Sequence, residues 1–203
     1  MIIRRPAFSL LALLLLLAFG LHAQDEQEQT LFKSIRVVGA FGSPIFELGN
    51  LYDSTGTSTG GGGALVFNKF FLGGFGMGSS GFASIDFQGT TYKIDMGYGG
   101  IWLGFTPLTH KAIHPYISTR YGWGKIKLNE EGASAPSYQD KIFCFIPEAG
   151  FEVNFFRWFR ICASGGYRLV TGANDLPANS LELSDLRSFC GYLTLRFGGF
   201  GSN

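Results

Sequence analysis

Between Ser34 and Phe200 apolar and polar side chains alternate in segments of ten residues or more, divided by polar or proline-containing breaks. Residues two apart on an extended chain share a face, so each segment reads as a strand with two unlike sides. Eight are predicted, at 34–48, 60–69, 71–86, 91–105, 112–128, 140–155, 158–172 and 186–200. The alternation is cleanest in the last three. Phe143, Phe145, Ala149, Phe151, Val153 and Phe155 oppose Glu148, Glu152 and Asn154. Phe159, Ile161, Ala163, Tyr167 and Leu169 oppose Arg160, Cys162, Ser164 and Arg168, and Phe189, Leu193, Leu195 and Phe197 oppose Cys190, Tyr192, Thr194 and Arg196. No helical period of comparable length interrupts the pattern, and residues 179–185 offer one turn at most.

The apolar faces are large and aromatic, while the polar faces are poor in Lys and rich in Gly, Ser and Arg. A soluble barrel does the reverse, burying its apolar face and showing Lys and Glu to water. A tilted strand of about ten residues is long enough to cross a bilayer. Unpaired backbone groups are too costly in hydrocarbon for an open sheet edge, so such a sheet closes on itself, and eight strands suffice. With the N-terminus on the periplasmic side, the breaks at 49–59, 129–139 and 172–185 make long outer loops and 87–90 a short one. Those at 68–70, 106–111 and 156–157 turn the chain at the inner rim. Aromatic girdles are expected from Phe70, Phe71, Phe105, Phe155, Trp158, Phe159 and Phe197 at that rim, and from Phe46, Phe82, Tyr92, Tyr121 and Trp123 toward the outer one. The predicted fold class is all-β, an eight-stranded antiparallel up-and-down transmembrane β-barrel over residues 34–200.

Ahead of the barrel, Arg4 and Arg5 precede an apolar run from Ala7 to Gly20 and then a polar stretch from Gln24. This is the layout of a secretory signal peptide over residues 1–23, cleaved after Ala23, with 24–33 a polar periplasmic segment. The apolar run is shorter than the about 20 residues that a spanning helix needs. Gln24 stands where a lipoprotein carries cysteine, so no lipid anchor is expected. Without the leader the chain holds 14 basic and 15 acidic side chains, and no basic excess points to nucleic acid. Thirty glycines and 16% aromatic residues, against 15% charged ones, exclude a disordered chain. Cys144, Cys162 and Cys190 are an odd set and share the polar parity, so buried free thiols are expected. Cys162 and Cys190, on adjacent strands, pair only if the register brings them level.

These features together, with the closing strand GYLTLRFGGF at 191–200, resemble a small outer-membrane β-barrel protein of the OmpA/OmpX type. The stretch IPEAGFEVNFFRWFRICASGGYRLVTG at 146–172 is similar to the penultimate hairpin of small outer-membrane barrels of Gram-negative bacteria. The resemblance covers nearly all of the chain beyond the leader. One departure is that Gly201, Ser202 and Asn203 follow Phe200, where such barrels usually end on an aromatic residue. The resemblance implies location in the cell outer membrane, contact with outer-membrane lipid, insertion by the barrel-assembly machinery, and outer loops that meet an unidentified surface ligand.

An eight-stranded barrel is wide enough inside only for its own side chains. The inward polar set is expected to be Arg36, Asp95, Arg120, Glu148, Glu152, Arg160, Arg168 and Arg196. Charges of both signs in a narrow lumen should pair, giving a structural network rather than an anion path. Glu148 and Glu152, four apart on one strand, lie about 13 Å apart at about 3.3 Å per residue. That is too wide for a glycosidase couple, so they are assigned as partners for Arg160 and Arg168. His114 and Ser118 share parity but lie at the inner end, away from the outer-leaflet substrate of a lipid hydrolase. His110 and His114 lack a third metal donor at suitable spacing. Gly76, Gly78 and Gly81 match the dinucleotide fingerprint by letter, but inside a strand with no helix after it. No catalytic residue, cofactor or metal is therefore expected, and the function expected is a non-catalytic structural or surface-interaction role through the outer loops. The competing readings are a lipid-modifying enzyme, a narrow channel, and a soluble secreted barrel binding a small apolar ligand.

Overall fold

The computed structural model describes residues 36–51, 54–87, 89–130, 136–173 and 183–201. The expected leader, its cleavage site and the segment 24–33 lie outside the described residues. The strands are β1 (Gly39–Leu51), β2 (Ser54–Phe67), β3 (Phe70–Phe87), β4 (Thr90–Phe105), β5 (Ile113–Glu130), β6 (Tyr138–Phe156), β7 (Phe159–Gly172) and β8 (Ser188–Gly199). Each pairs antiparallel with the next, and β8 returns to β1 through Ala40↔Gly199 to Gly49↔Cys190, so the sheet is a closed barrel. A 3-10 turn, Leu183–Leu186, precedes β8.

The first outer break is a correction. The polar stretch 49–59, expected as a long loop, continues both strands, with Gly49 paired to Gly56 and Leu51 to Ser54. Ser, Thr and Gly read as loop by composition, but threonine also suits an exposed, pleated ladder. Here Thr55 Oγ1 donates to Asn50 Oδ1 at 2.8 Å across the pair. At the opposite rim the turns at 68–69 and 157–158 are tight, and Asn68 takes the left-handed conformation that asparagine tolerates (φ 55°). That rim also carries the ends of β1 and β8. The connection 173–187, longer than any other between consecutive strands, lies at the rim opposite those ends and marks it as the outer one, where such barrels carry their longer loops.

Alternation sorts the wall into two surfaces. The paired outward ladder of β5 and β6 runs Ile113/Val153, Pro115/Phe151, Ile117/Ala149, Thr119/Pro147, Tyr121/Phe145 and Trp123/Phe143, and then Lys125/Lys141 and Lys127/Gln139. Ten residues at about 3.4 Å, tilted by about 40°, give the first six rungs a height of about 26 Å, the thickness of a barrel's lipid-facing band. Phe46, Leu48, Leu65, Leu72, Ile101 and Phe189 extend the band around the barrel, with Phe189 82% exposed. An apolar surface of that extent is stable against hydrocarbon and not against water. Trp158 stacks on Phe156 and Phe197 at the inner rim, and Trp123 lies against Phe143 near the outer one. Two girdle expectations are corrected: Phe71 points into the lumen, and Tyr92 packs inward against the core, 5.8 Å from the Tyr138 ring. The side chain of Phe82 lies outside the described residues.

The inner surface is aromatic as well as charged. Trp102 is fully buried, and Phe41, Phe71, Phe75, Tyr98 and Tyr116 surround it in the lumen. Glycine makes the room: a Cβ on Gly62 would stand 2.7 Å from Gly74 O and 3.2 Å from the Trp102 ring, and one on Gly122 would meet the Tyr98 and Phe75 rings at 3.0 and 3.1 Å.

Candidate functional site: a filled polar lumen

Of the expected inward residues, Arg120, Glu148, Glu152, Arg160, Arg168 and Arg196 are buried inside the barrel. Arg36 and Asp95 are corrections. Arg36 is exposed and precedes β1, so no barrel parity applies to it. Asp95 is on the outward side of β4, whose inward positions are Ile94, Met96, Tyr98 and Trp102. It accepts a hydrogen bond from Asn129 Nδ2 at 2.6 Å near the outer rim. In β4 apolar side chains take the lumen, which puts the alternating Asp95 on the other face.

The lumen charges gather around three carboxylates. Toward the inner rim Glu152 receives Arg160 Nη1 at 2.6 Å and Arg196 Nη1 at 2.5 Å, Cys162 Sγ donates to it at 3.1 Å, and His114 Nε2 lies 3.5 Å away. Four residues along β6, Glu148 pairs with Arg120 Nη2 at 2.9 Å and accepts from Tyr116 at 2.5 Å, Ser118 at 3.3 Å and Ser164. Toward the outer rim Glu47 pairs with Arg168 Nη1 at 2.5 Å and accepts from Tyr98 at 3.1 Å. Arg168 Nη2 also donates to Asn50 O at 2.6 Å and Ser188 Oγ at 3.1 Å, and its Nε to Leu186 O at 3.2 Å.

The expected partnership of Glu152 with Arg160 holds in this geometry, whereas Arg168 belongs to Glu47 and Glu148 to Arg120. Glu47 is the charged lumen residue that sequence reasoning missed. Its signal is nevertheless visible, because it stands between Phe46 and Leu48, both exposed on the apolar side. The pairing itself joins residues 121 apart in the chain and exists only because β8 closes onto β1.

Two guanidiniums are held by rings as much as by acids. Arg120 lies 4.5 Å from the Tyr192 ring centre and 5.1 Å from Trp102. Arg196 lies within 4.6 to 5.1 Å of Tyr116, Phe71, Phe41 and Trp102. Their Nε atoms have no hydrogen-bond partner, so ring faces supply the attraction that donors and acceptors do not.

His114 and Ser118 form no couple: His114 faces Glu152 and Asn154, while Ser118 faces Glu148, Tyr116 and Trp102. All three cysteines are buried and free. Cys162 is level with Thr194 and Cys190 with Gly166, so the register keeps the two thiols apart. Among the described residues no group of three or more His, Cys, Asp or Glu is arranged to hold a metal.

No protein-family model matches the chain, and no curated protein matches it. Solved structures do. Neisserial surface protein A aligns over 78% of this chain and 95% of its own, with 10% identity and a TM-score of 0.57. Ail, the attachment invasion locus protein of Yersinia pestis, solved with the heparin analogue sucrose octasulfate, aligns over 79% of this chain and 97% of its own, with 14% identity and a TM-score of 0.51. At these identities the likeness is one of fold. That fold is the closed eight-stranded barrel of outer-membrane proteins.

Proposed function

We infer that this chain is an outer-membrane barrel without catalytic activity, which presents its outer rim to the environment on a closed scaffold. The observation that carries this reading is the occupancy of the lumen. Glu47, Glu148 and Glu152 are each engaged by two or more donors, and the arginines between them are packed against rings. A carboxylate so engaged is poorly placed to act as a general base, since a base must reach the proton it takes. A lumen filled by stacked guanidiniums and tyrosines leaves little route for ions. The fold neighbours, a surface protein and an attachment and invasion protein, support the surface-facing part of the reading. Planar-bilayer recording tests it: the folded protein should add no stepwise conductance. A steady unitary conductance altered by Arg168→Ala would instead make it a channel.

A further inference from the structure

The outward ladder of β5 and β6 contains an arrangement that a sheet avoids. Lys125 and Lys141 stand directly opposite each other, both exposed. Facing residues in an antiparallel pair have Cβ atoms about 4.5 to 5.5 Å apart, and like charges there are destabilising. Neither ammonium has an acidic partner among the described residues. On the far side of Lys125 is Gly97, itself paired with Gly78, and a Cβ on either would meet no atom closer than 4.0 Å. The lysine pair therefore borders a shallow notch floored by backbone. Lys127 follows on the same face of β5, while its facing acid Asp95 is engaged by Asn129.

Depth decides what would fill the notch. The preceding rung is Trp123/Phe143, ring centres 5.7 Å apart, which belongs to the aromatic girdle at the hydrocarbon boundary. The lysines lie one rung beyond it, about 7 Å along the strand, at the level where lipid phosphates lie. We propose that Lys125 and Lys141 clamp the phosphate of an outer-leaflet lipid headgroup, with the Gly97/Gly78 notch admitting the headgroup beside them. The anion removes the like-charge repulsion, and two charge-assisted contacts hold it. The inference rests on the membrane-barrel reading above.

The protein folded in detergent micelles is first checked for a band that shifts on boiling, then offered bisphosphorylated or fully dephosphorylated lipid A and examined by native mass spectrometry. The phosphorylated form should be retained at least about tenfold better, as for two charge-assisted contacts. Lys125→Gln with Lys141→Gln should remove that preference, and Lys69→Gln at the inner rim should leave it. A folded, heat-shifted protein that retains both lipids equally, or a double variant that behaves as wild type, overturns the phosphate clamp and leaves the barrel reading standing. A wild-type chain with no heat-shifted form overturns the barrel reading instead. Loss of lipid A to millimolar inorganic phosphate, or lipid-independent binding of sucrose octasulfate through the same two lysines, would move the site from the membrane to a soluble anion and overturn the proposal as stated.

Discussion

Glu152 is fully buried and is shared by two arginines, a cysteine and a histidine. Removing one partner of a buried ion pair costs about 3 to 5 kcal/mol, chiefly because the other charge stays buried without compensation. Glu152→Gln leaves two guanidiniums in that position, whereas Arg160→Gln leaves Glu152 still paired with Arg196. The first variant should therefore lower the urea midpoint of the liposome-inserted barrel by clearly more than the second; equal losses would mean that Arg196 is held by its rings alone. Thr119 presents the opposite case. It is on the outward side of β5, facing Leu103 and Pro147, and its Oγ1 is buried with no hydrogen-bond partner. An unsatisfied hydroxyl is better replaced by an apolar group of the same shape, so Thr119→Val should leave stability unchanged or raise it by about 1 kcal/mol in the same assay. A marked loss would show that the hydroxyl has a partner in the folded membrane protein.

The strands are unequal, and the inequality has a physical reading. β3 to β6 have 18, 16, 18 and 19 residues, against 13, 14, 14 and 12 for β1, β2, β7 and β8. Toward the outer rim the long strands bury Ile85, Ile94, Ile126 and Leu128 on their inward side, while Lys93, Lys125, Lys127 and Lys141 are exposed. Those ends thus form a small water-side core above the lipid band. Leu128→Ala should cost about 2 to 5 kcal/mol locally. It should speed hydrogen exchange at residues 124–130 and 138–142 while the heat-shifted band survives; loss of that band would show that the outer ends and the membrane ring fold as one unit. The same strands explain what the sequence could reveal. In β6, β7 and β8 large outward aromatics alternate with inward charge, so faces and partners such as Glu152 and Arg160 are legible. In β2 to β4 glycine occupies both faces, with Gly60 to Gly63 and Gly73, Gly74, Gly76 and Gly78 giving no parity signal. Without that signal the sequence shows neither that Trp102 faces the lumen nor that Asp95 faces outward. Glu47 was readable on its own strand, but its partner Arg168 was not, because barrel closure is not a local property.

Taken whole, the barrel distributes its three tryptophans over three environments. Trp102 is fully buried in the lumen, Trp123 is exposed one rung below the lysine pair, and Trp158 is exposed at the opposite rim. The inside-out character of the molecule makes these positions discriminating: a soluble barrel with the same strands would bury the apolar outer face and expose the polar one. Single-tryptophan variants inserted into liposomes, with phenylalanine at the other two positions, separate the two arrangements by fluorescence quenching. Lipids brominated near the headgroup should quench Trp123 and Trp158 strongly, because both rings lie at the girdles. Trp102 should be shielded from brominated lipid and from aqueous acrylamide alike, since the wall separates it from the first and the packed lumen from the second. Quenching of Trp102 by lipid would reverse the two faces of β4 and every parity tied to it. Quenching by acrylamide would mean that water enters the lumen past the Glu148 and Glu152 clusters, reopening a conducting path that the packed arginines otherwise close.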